Sequence, residues 1–428
     1  MGKIKKIYDS VHRFIHIDEV ESLLINTVPF QRLHYIHQLG VTYFVYPGGT
    51  HRRFEHSLGV MELATRIYDE ITSGNLPKKL TDMMPRFGTF EYHYWRRVLR
   101  LAALCHDLGH LPFSHVAEDR LLGKGGHEVW TQKIMESPFL EPVWDRFSVG
   151  SVQEGIDRDV QLDVMKVALG EKKFDGEFTP WERVVTEIVT GDFFGADRID
   201  YLLRDSQCTG LAYGFFDYHQ LIEMLKIIVT PEGNLSLGVE ENGIESCETL
   251  LLARHYMHKR LYQYSSVKSY TYHLSRFMET IYYDLGDDLD HYVAMTDNEV
   301  LAELNSASRD ESHPGHFDAK CLYIRNYRFR AIALSSPECF KNAFLELDLL
   351  AIKEELGIPD DEISWEISKK GKTKLRMNFP VLKQDGKVDI GDNLSEISVP
   401  HKERSWIYVA PQFEEKLRKQ LSHVDVLG

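Results

Sequence analysis

Four side chains that can bind metals or carry protons lie within one short segment of the chain. The segment reads H-D-L-G-H-L-P-F-S-H and contains His106, Asp107, His110 and His115. It follows an apolar run, residues 98–105, which is broken only by an arginine and predicts a buried helix. A carboxylate at the end of a buried helix is costly unless a divalent cation or hydrogen bonds compensate it. The segment therefore predicts either a metal site or a capped helix end with ordinary hydrogen-bonded histidines.

A second candidate pair lies on the helix predicted within residues 50–75. Arg53 and His56 are three residues apart and share one side of that helix, whose other positions are mostly apolar. A single histidine in such a helix is usually a core residue. With an arginine beside it, His56 becomes a candidate ligand or phosphate contact.

The segment A-D-R-I-D-Y-L-L-R-D supplies a third group of polar residues. On a helix, Asp197, Tyr201 and Arg204 form one stripe, and Arg198 and Asp205 form the neighbouring stripe. This pattern is compatible with a site, or with a solvent-exposed face carrying salt bridges.

Two imidazoles and two carboxylates from these segments would suit a divalent Mn, Fe, Ni or Zn ion. Four protein ligands on an octahedral ion leave positions for a water and a phosphate oxygen, and the ion would lower the pKa of that water. Neighbouring histidines would supply acid–base groups, and arginines would hold a phosphate chain. The candidate acid–base groups are His110, His115 and His127. The candidate phosphate contacts are Arg53, Arg198 and Arg254. For His127, which precedes Glu128, a helix-cap role stays equally open.

Several classes of function are disfavoured. The net charge of −15 argues against a broad nucleic-acid footprint, although a few basic residues in one cleft would still bind a small polyanion. The chain shows neither a phosphate-binding Gly-Lys-Ser/Thr loop nor a Gly-x-Ser-x-Gly motif. Its five cysteines are scattered, no apolar run is long enough to span a bilayer, and no signal peptide is evident, so we expect a cytoplasmic protein.

The coarse pattern predicts a mainly α fold with a smaller mixed α+β C-terminal lobe. Residues 1–290 would form the helical catalytic core, and residues 300–428 the C-terminal lobe. Local signals predict a helix through residues 29–39 and an extended piece at 41–45. Strands are predicted at residues 321–334, 362–367, 374–381 and 405–410.

The motifs H-R-R-F-E-H-S-L-G-V, C-H-D-L-G-H-L-P-F-S-H and A-D-R-I-D-Y-L-L-R-D together resemble the HD-domain superfamily of metal-dependent phosphohydrolases. More closely, they are similar to the deoxynucleoside triphosphate triphosphohydrolases. The resemblance implies a helical HD core and hydrolysis of a dNTP at the α-phosphorus, giving a deoxynucleoside and inorganic triphosphate. It implies a divalent metal in a four-ligand site, and it is compatible with an additional Mg²⁺ on the triphosphate.

The same resemblance assigns roles to individual residues. The metal ligands would be His56, His106, Asp107 and Asp197. The catalytic group would be His110, His115, Glu118 and His127, with His115 as the acid for the departing 5′ oxygen. Substrate would be bound by Gln38, Leu39, Arg53, Arg198, Tyr201, Asp205, Arg254 and Tyr262, the sugar pocket leaving no room for a 2′ hydroxyl. Arg198 stands where a lysine is common, which keeps the charge but changes its geometry.

Relatives of this kind form dimers to tetramers, often with nucleotide effectors between subunits, so we expect a homo-oligomer. A guanine-nucleotide activator site in the metazoan enzyme uses an Asp and an Arg, where this chain has Asn26 and His34. Gln31 and Arg32 of the same segment are retained. We therefore expect no activation by dGTP at that site, and other nucleotide effectors stay open.

Two other functions stay open. The first is a phosphodiesterase or phosphatase acting on another nucleotide or phosphorylated metabolite, which the identity of the broken bond would reveal. The second is a non-catalytic nucleotide- or nucleic-acid-binding regulator, which would bind in a salt-dependent manner without turnover.

Overall fold

The chain folds mainly into helices, as its sequence predicts. Helices make up 59% of the structure, and small sheets lie in the C-terminal part, with a further hairpin at the N-terminus. The computed structural model describes residues 5–73, 76–282, 285–325, 327–335, 342–367, 376–399, 404–421 and 426–427. Within those ranges, no helix combines the length and the apolar character needed to cross a membrane.

The helices are numbered in chain order. They are α1 (Glu19–Ile25), α2 (Val28–Arg32), α3 (Arg53–Thr72), α4 (Lys78–Thr81), α5 (Phe90–Cys105), α6 (Glu118–Leu121), α7 (Gly126–Met135), α8 (Glu141–Gln153), α9 (Val160–Leu169), α10 (Pro180–Thr190), α11 (Ala196–Thr209), α12 (Tyr218–Met224), α13 (Ile244–Met257), α14 (Ser265–Ile281), α15 (Leu289–Ala294), α16 (Asp297–Ala307), α17 (His316–Tyr323), α18 (Asn342–Leu356), α19 (Gly391–Leu394) and α20 (Glu414–Gln420). A π-helical turn, His258–Tyr262, continues α13.

Helix α5 contains the predicted buried helix in its C-terminal half. Residues 98–105 are all buried, including Arg100, whose guanidinium is paired with buried Glu21. The helix begins earlier than the apolar run, at Phe90, because the Thr89 side chain accepts a hydrogen bond from Tyr92 N and caps it. It ends at Cys105, so His106 and Asp107 follow directly at its C-terminus.

Helix α3 packs against both α5 and α11 in the centre of the largest hydrophobic core. Gly59 lies at the α3–α11 contact, where a Cβ atom would stand only 2.0 Å from Asp200 Oδ1. Only glycine allows this close approach of the two helices. As a result, His56 of α3 lies beside the first turns of α11.

The strands form three sheets. They are β1 (Lys5–Asp9), β2 (Arg13–Ile17), β3 (Leu225–Val229), β4 (Leu235–Glu240), β5 (Arg330–Ser335), β6 (Ile363–Glu366), β7 (Pro380–Leu382), β8 (Val388–Ile390), β9 (Arg404–Val409) and β10 (Val426–Leu427). β1 and β2 form an antiparallel hairpin, with Lys5 opposite Ile17. The other two sheets have the orders β3-β4-β7-β8 and β10-β5-β9-β6.

One of these sheets joins distant parts of the chain. β4 pairs with β7 in parallel, with Val239 opposite Val381, so a strand before residue 290 shares a sheet with one after residue 300. The division into units 1–290 and 300–428 stays a prediction.

The predicted helix at residues 29–39 is wrong beyond its first turn. α2 ends at Arg32 and is followed by a 3-10 turn, Leu33–Tyr35. The chain then leaves helical geometry because the Asp297 carboxylate binds the backbone N–H of His37 at 2.8 Å. A second long-range bond, from Gln38 N to His51 O at 3.0 Å, fixes the next residue. The predicted extended piece at 41–45 is also wrong, since a 3-10 turn occupies Thr42–Phe44.

The strand predictions in the C-terminal part are only partly confirmed. β6 and β9 fall at the predicted places, and β7 lies at the end of the predicted strand 374–381, whose residues 374–375 lie outside the described residues. The predicted strand at 321–334 is wrong in its first half. Its first residues, 321–323, belong to α17, which packs on α14, and β5 begins only at Arg330. A buried helix and a buried strand give the same short apolar run.

Candidate active site

The four predicted metal ligands converge at the junction of α3, α5 and α11. His56 Nε2 lies 3.0 Å from Asp197 Oδ1 and 3.5 Å from Asp107 Oδ2. His106 Nε2 lies 3.4 Å from Asp107 Oδ1 and 3.7 Å from Asp197 Oδ1. His56, His106 and Asp107 are buried, whereas the Asp197 side chain is 35% exposed. The arrangement places two imidazole nitrogens and two carboxylates around one point.

Hydrogen bonds on the far side of each imidazole leave the near nitrogen available to a cation. His106 Nδ1 donates to Ala103 O at 2.8 Å, and His56 Nδ1 contacts Asp200 Oδ2 at 2.7 Å. Such contacts fix the tautomer that keeps the lone pair on Nε2. His106 Nε2 is buried and has no hydrogen-bond partner among the residues that the structure describes, which is costly in a protein interior unless a ligand completes it. The residues therefore fit a divalent metal.

The two carboxylates are held in their ionised form. Burial opposes ionisation of Asp107, but Arg53, followed by His106 and His56, lowers its pKa below the usual range. Burial likewise opposes ionisation of Asp197, and the neighbouring His106 and His56 hold its pKa well below normal. Both groups are thus charged at neutral pH, as metal ligands must be.

A buried ion-pair network adjoins the predicted metal ligand His56 through Asp200. Asp200 receives His12 Nε2 at 2.6 Å and Arg204 Nε at 2.9 Å, while Arg204 NH1 reaches Asp9 Oδ1 at 2.8 Å. All four side chains are buried. Arg204 therefore neither faces substrate nor belongs to a solvent-exposed salt-bridged stripe, so both interpretations of that residue from its helical spacing are wrong.

The predicted catalytic residues form a second cluster next to the metal ligands. The His110 and His127 rings stack with centroids 3.6 Å apart, and His110 Nε2 lies 3.3 Å from His115 Nε2. Glu118 joins the cluster, because its two oxygens contact His115 Nδ1 at 2.6 Å and His127 Nδ1 at 2.7 Å. The ring of His127 thus belongs to the cluster. The backbone N–H of the same residue also donates a hydrogen bond to Glu118.

Electrostatics give the members of this cluster different charges. Burial, reinforced by the positive Arg53 and by the neighbouring histidines, lowers the pKa of His110 well below normal, so this imidazole is neutral. Burial opposes ionisation of Glu118, but its bonds to His115 and His127 lower its pKa below the usual range. A charged carboxylate therefore orients two histidines from behind, as in other acid–base sites.

The loop between His110 and His115 has strained backbone. Phe113 and Ser114 adopt left-handed φ angles of 58° and 62°. Three contacts hold this loop: Phe113 N donates to Asp297 Oδ1 at 2.6 Å, Arg53 Nε to Ser114 Oγ at 2.8 Å, and Ser114 Oγ to His37 O at 2.6 Å. The strain places His115 at the edge of the site.

One cavity of about 810 Å³ connects these groups. Most of the predicted site residues line it, namely Gln38, Leu39, Arg53, His106, Asp107, His110, His115, His127, Asp197, Tyr201, Asp205 and Tyr262. His56 and Glu118 lie behind the lining, in contact with it. Arg198 and Arg254 contact the lining segment through the carbonyls of Gly191 at 3.3 Å and Asp192 at 3.4 Å.

The predicted sugar pocket is built around Asp205. Its two carboxylate oxygens contact His51 Nε2 and the Tyr262 hydroxyl, each at 2.7 Å. Burial opposes the charged form of His51, but the contact with Asp205 outweighs it and raises the pKa of His51 to about 9. The Gln38 Oε1 atom is buried, has no hydrogen-bond partner in the described part of the chain, and can accept a hydrogen bond from a ligand.

The side chains of the segment that resembles an activator site are engaged within the chain. Asn26 Nδ2 donates to Ser22 O at 2.6 Å and Gln31 Nε2 to Ile25 O at 2.8 Å. Arg32 Nε donates to Met295 O at 2.7 Å, and the His34 ring stacks on Phe54. The absence of dGTP activation at this segment stays a prediction.

Several residues of the site were not identified from the sequence. His51, Asp200 and Asp297 each contact a predicted site residue or the loop that carries one, and His12 contacts Asp200. His12 and Asp200 stand within short polar motifs, D-S-V-H and A-D-R-I-D, which were the available signal. No sequence motif around Asp297 indicated that this residue contacts the site.

Comparison with known proteins gives consistent results. The HD domain family matches residues 53–143, and the HD associated region matches residues 216–398. An uncharacterized protein of Methanocaldococcus jannaschii is 37% identical over 267 residues, covering 62% of this chain and 47% of that protein. The deoxynucleoside triphosphate triphosphohydrolase SAMHD1 of Gallus gallus is 29% identical over 410 residues, covering 85% of this chain and 62% of its own length.

The chain spans less than two thirds of either of these relatives. Among solved structures, a hypothetical protein from Aquifex aeolicus is similar over 98% of this chain and 100% of its own, with a TM-score of 0.72 and 26% identity.

Proposed function

The chain belongs to the HD-domain phosphohydrolases and carries an HD-associated region, and from this premise we propose that it is a metal-dependent deoxynucleoside triphosphate triphosphohydrolase. It would hydrolyse a dNTP to a deoxynucleoside and inorganic triphosphate. The observation that carries the proposal is the single cavity that joins three groups: the metal-ligand cluster, the Glu118-linked histidines and the pocket around Asp205. The sequence similarity to a dNTP triphosphohydrolase supports it.

The metal would be held by His56, His106, Asp107 and Asp197. When bound, a divalent ion supplies Lewis-acid polarisation of a phosphoryl oxygen and lowers the pKa of a water. Arg53 holds Asp107 through a bond of 2.5 Å and also lines the cavity, so it both fixes a ligand and faces the phosphates. Arg198 and Arg254 would add positive charge at the same end.

Proton transfer would fall to His115. Its Nδ1 is held by Glu118, which leaves Nε2 directed away from that carboxylate and able to donate. In the proposed step, the water oxygen forms a bond to the α-phosphorus and the bond from phosphorus to the 5′ oxygen breaks. The 5′ oxygen takes a proton from His115, the triphosphate carries the water oxygen, and the proton that the water loses passes to solvent.

Selection of the deoxynucleoside would come from the opposite end of the cavity. Asp205, Tyr262 and Gln38 would surround the sugar, and the fixed His51–Asp205–Tyr262 contacts make this wall rigid. A rigid wall against the 2′ carbon would exclude ribonucleotides.

The direct test is anaerobic purification, reconstitution with Mn, Fe, Ni or Zn, and product analysis with all four dNTPs and with ATP. Release of inorganic triphosphate from dNTPs, and not from ATP, is the expected result. Release of orthophosphate or a nucleoside monophosphate would instead indicate a phosphatase or phosphodiesterase. Binding without turnover under any of these metals would indicate a non-catalytic regulator. His106→Ala and Asp107→Ala should lose both metal and activity.

A further inference from the structure

The cavity extends beyond the metal site, on the side away from the sugar pocket. The positions of two residues on α11 show how the parts of the cavity follow one another. Asp197, beside the metal site, lies in the first turn of the helix, and Asp205, in the sugar pocket, lies eight residues later, about 12 Å along the axis. The segment that precedes the helix, which includes Phe193, also lines the cavity. The metal ligands therefore stand between the sugar pocket and a further space.

We call this further space the second chamber. Its walls come from α10, the segment before α11, strand β4 and the residues before β7. The end of α9 and the residues that follow it also line the cavity, as do the charged side chains of Lys172, Lys173 and Arg183. The lining side chains used below are Thr186, Glu187, Phe193, Leu237, Asn378 and Phe379. They are more apolar and aromatic than the groups around the metal.

Aromatic rings form one side of the second chamber. Phe193 and Phe194 each pack against Phe379, with ring centroids 4.6 Å apart. Phe194 and Phe379 are buried, whereas Phe193 is partly exposed and lines the cavity. A partly open ring beside a rigid aromatic pair is suited to contact a flat ligand group.

Glu187 provides an acceptor in the same chamber. Its Oε2 accepts the Leu237 N–H at 2.7 Å, and burial raises the pKa of the carboxyl to about 7. In the part of the chain that the structure describes, no lysine or arginine forms an ion pair with it. A carboxyl in an active cavity without a cationic partner is a candidate for ligand recognition. It would disfavour a phosphate and favour a group rich in hydrogen-bond donors.

Positive charge lies between this carboxyl and the metal. The Arg198 and Arg254 guanidinium groups contact the carbonyls of Gly191 and Asp192, immediately before Phe193. Because these two carbonyls belong to adjacent residues, the two cations lie close together. A phosphate chain that starts at the metal would run past these arginines and point into the second chamber.

We propose that the second chamber binds a guanine base carried on the far end of the phosphate chain, so that the enzyme accepts nucleotides joined 5′ to 5′ through a polyphosphate. The proposal rests on the proposed function, because it uses the same metal and sugar sites. A guanine offers its N1–H and its amino group to a carboxylate and a flat face to Phe193. Water would attack the α-phosphorus of the deoxynucleoside at the sugar pocket. The bond to its 5′ oxygen breaks, that oxygen takes a proton from His115, and the proton that the water loses passes to solvent. The polyphosphate leaves attached to the second nucleoside.

The test compares two ligands that differ only by the second nucleoside. They are P1,P4-di(2′-deoxyguanosine-5′) tetraphosphate and deoxyguanosine 5′-tetraphosphate. Binding is measured by calorimetry on the metal-loaded His115→Ala variant, so that turnover does not interfere, and hydrolysis is measured on the wild type. We expect the dinucleotide to bind about tenfold more tightly, as one charge-assisted contact with stacking would give.

Two variants test whether the tighter binding of the dinucleotide depends on the second chamber. Glu187→Gln and Phe193→Leu, each combined with His115→Ala, should bring the affinity ratio of the two ligands close to one. Asp175→Asn, which changes an exposed carboxylate outside the cavity lining, should keep the tenfold ratio. Thermal melting identifies a variant that fails to fold. In that case the affinity ratio of the other chamber variant decides whether the second chamber binds the base.

The outcomes separate this inference from the proposed function. If the two ligands bind the His115→Ala protein with equal affinity while the wild type still releases triphosphate from dNTPs, the second chamber does not bind a base. The triphosphohydrolase proposal would then still stand. A tenfold ratio without triphosphate release from any dNTP would overturn the proposed function and support the chamber as a base-binding site. A preference that persists in both chamber variants would also overturn the inference.

Discussion

His56 and Asp200 are joined in the interior by a contact of 2.7 Å between Nδ1 and Oδ2. Asp200 is held in turn by His12 and Arg204, and its pKa lies well below normal because Arg204 and these histidines outweigh the effect of burial. The N-terminal hairpin thus reaches the metal site through two buried contacts. A carboxylate behind a histidine ligand raises the basicity of that ligand and fixes its orientation.

Asp200→Asn should therefore weaken metal binding by about 10- to 100-fold. The amide keeps the size of the side chain but removes the charge that orients His56. Metal affinity is measured by competition with a chelator, followed by elemental analysis. Asp69→Asn, which removes a half-exposed carboxylate paired with Arg96, is the matched control and should bind metal normally. Equal metal affinity in Asp200→Asn and wild type would show that this carboxylate does not act on the metal site.

Asp297→Asn should lower kcat by up to about 100-fold while metal content stays normal. Asp297 binds the His37 ring at 2.6 Å and the Phe113 N–H at 2.6 Å, and so holds the strained loop that carries His115. Weakening these contacts would let His115 move away from the 5′ oxygen. Asp290→Asn, an exposed carboxylate nearby in sequence, serves as the control. A normal kcat in Asp297→Asn would mean that the loop keeps its position without this anchor.

Glu118→Gln should lower kcat by about 100-fold or more, within the usual range for general acid–base groups. The neutral amide cannot orient His115 and His127 as a carboxylate does, because one of its two terminal atoms is a donor. Steady-state kinetics on metal-loaded protein provide the measurement. Asp119→Asn changes the adjacent exposed carboxylate and should leave kcat near the wild-type value. If both variants are equally active, the predicted role of Glu118 is wrong.

The His51–Asp205 pair should make stability depend on pH. The folded-state pKa of His51, about 9, lies above its ordinary value of 6.5, so the folded protein binds this proton more tightly. The stabilisation is fully present below pH 6.5 and is lost as the pH rises to about 9. Its size is on the order of 3 kcal/mol. Chemical denaturation of wild type and His51→Gln should show a difference in unfolding free energy that shrinks over this interval. A constant difference from pH 6 to 9 would contradict the charged pair.

The candidate site residues were proposed from the sequence because local patterns mark them. His106 and Asp107 follow an apolar helix, and His56 lies on an amphipathic one. Polar, metal-binding side chains are unexpected at such positions, so the sequence pattern identifies them as candidates. The cavity does bring these predicted residues together. Their individual roles stay predictions that the experiments above test.

The supporting residues were not identifiable, because their partners are far away in sequence. Asp200 contacts His12 across 188 residues, and Asp297 contacts His37 across 260 residues. An isolated aspartate in a sequence is indistinguishable from a solvated surface residue. The same long-range bonds ended α2 at Arg32, where periodicity alone predicted that the helix would continue.

Hydrolysis of a dNTP in ¹⁸O-labelled water tests the central claim most directly. The metal-loaded protein should release a deoxynucleoside without label and inorganic triphosphate with one ¹⁸O atom on a terminal phosphorus, as read by mass spectrometry and ³¹P NMR. This result requires attack at the α-phosphorus, which is the step proposed for the predicted metal ligands and for His115. Labelled orthophosphate, or a deoxynucleoside monophosphate as product, would contradict the account.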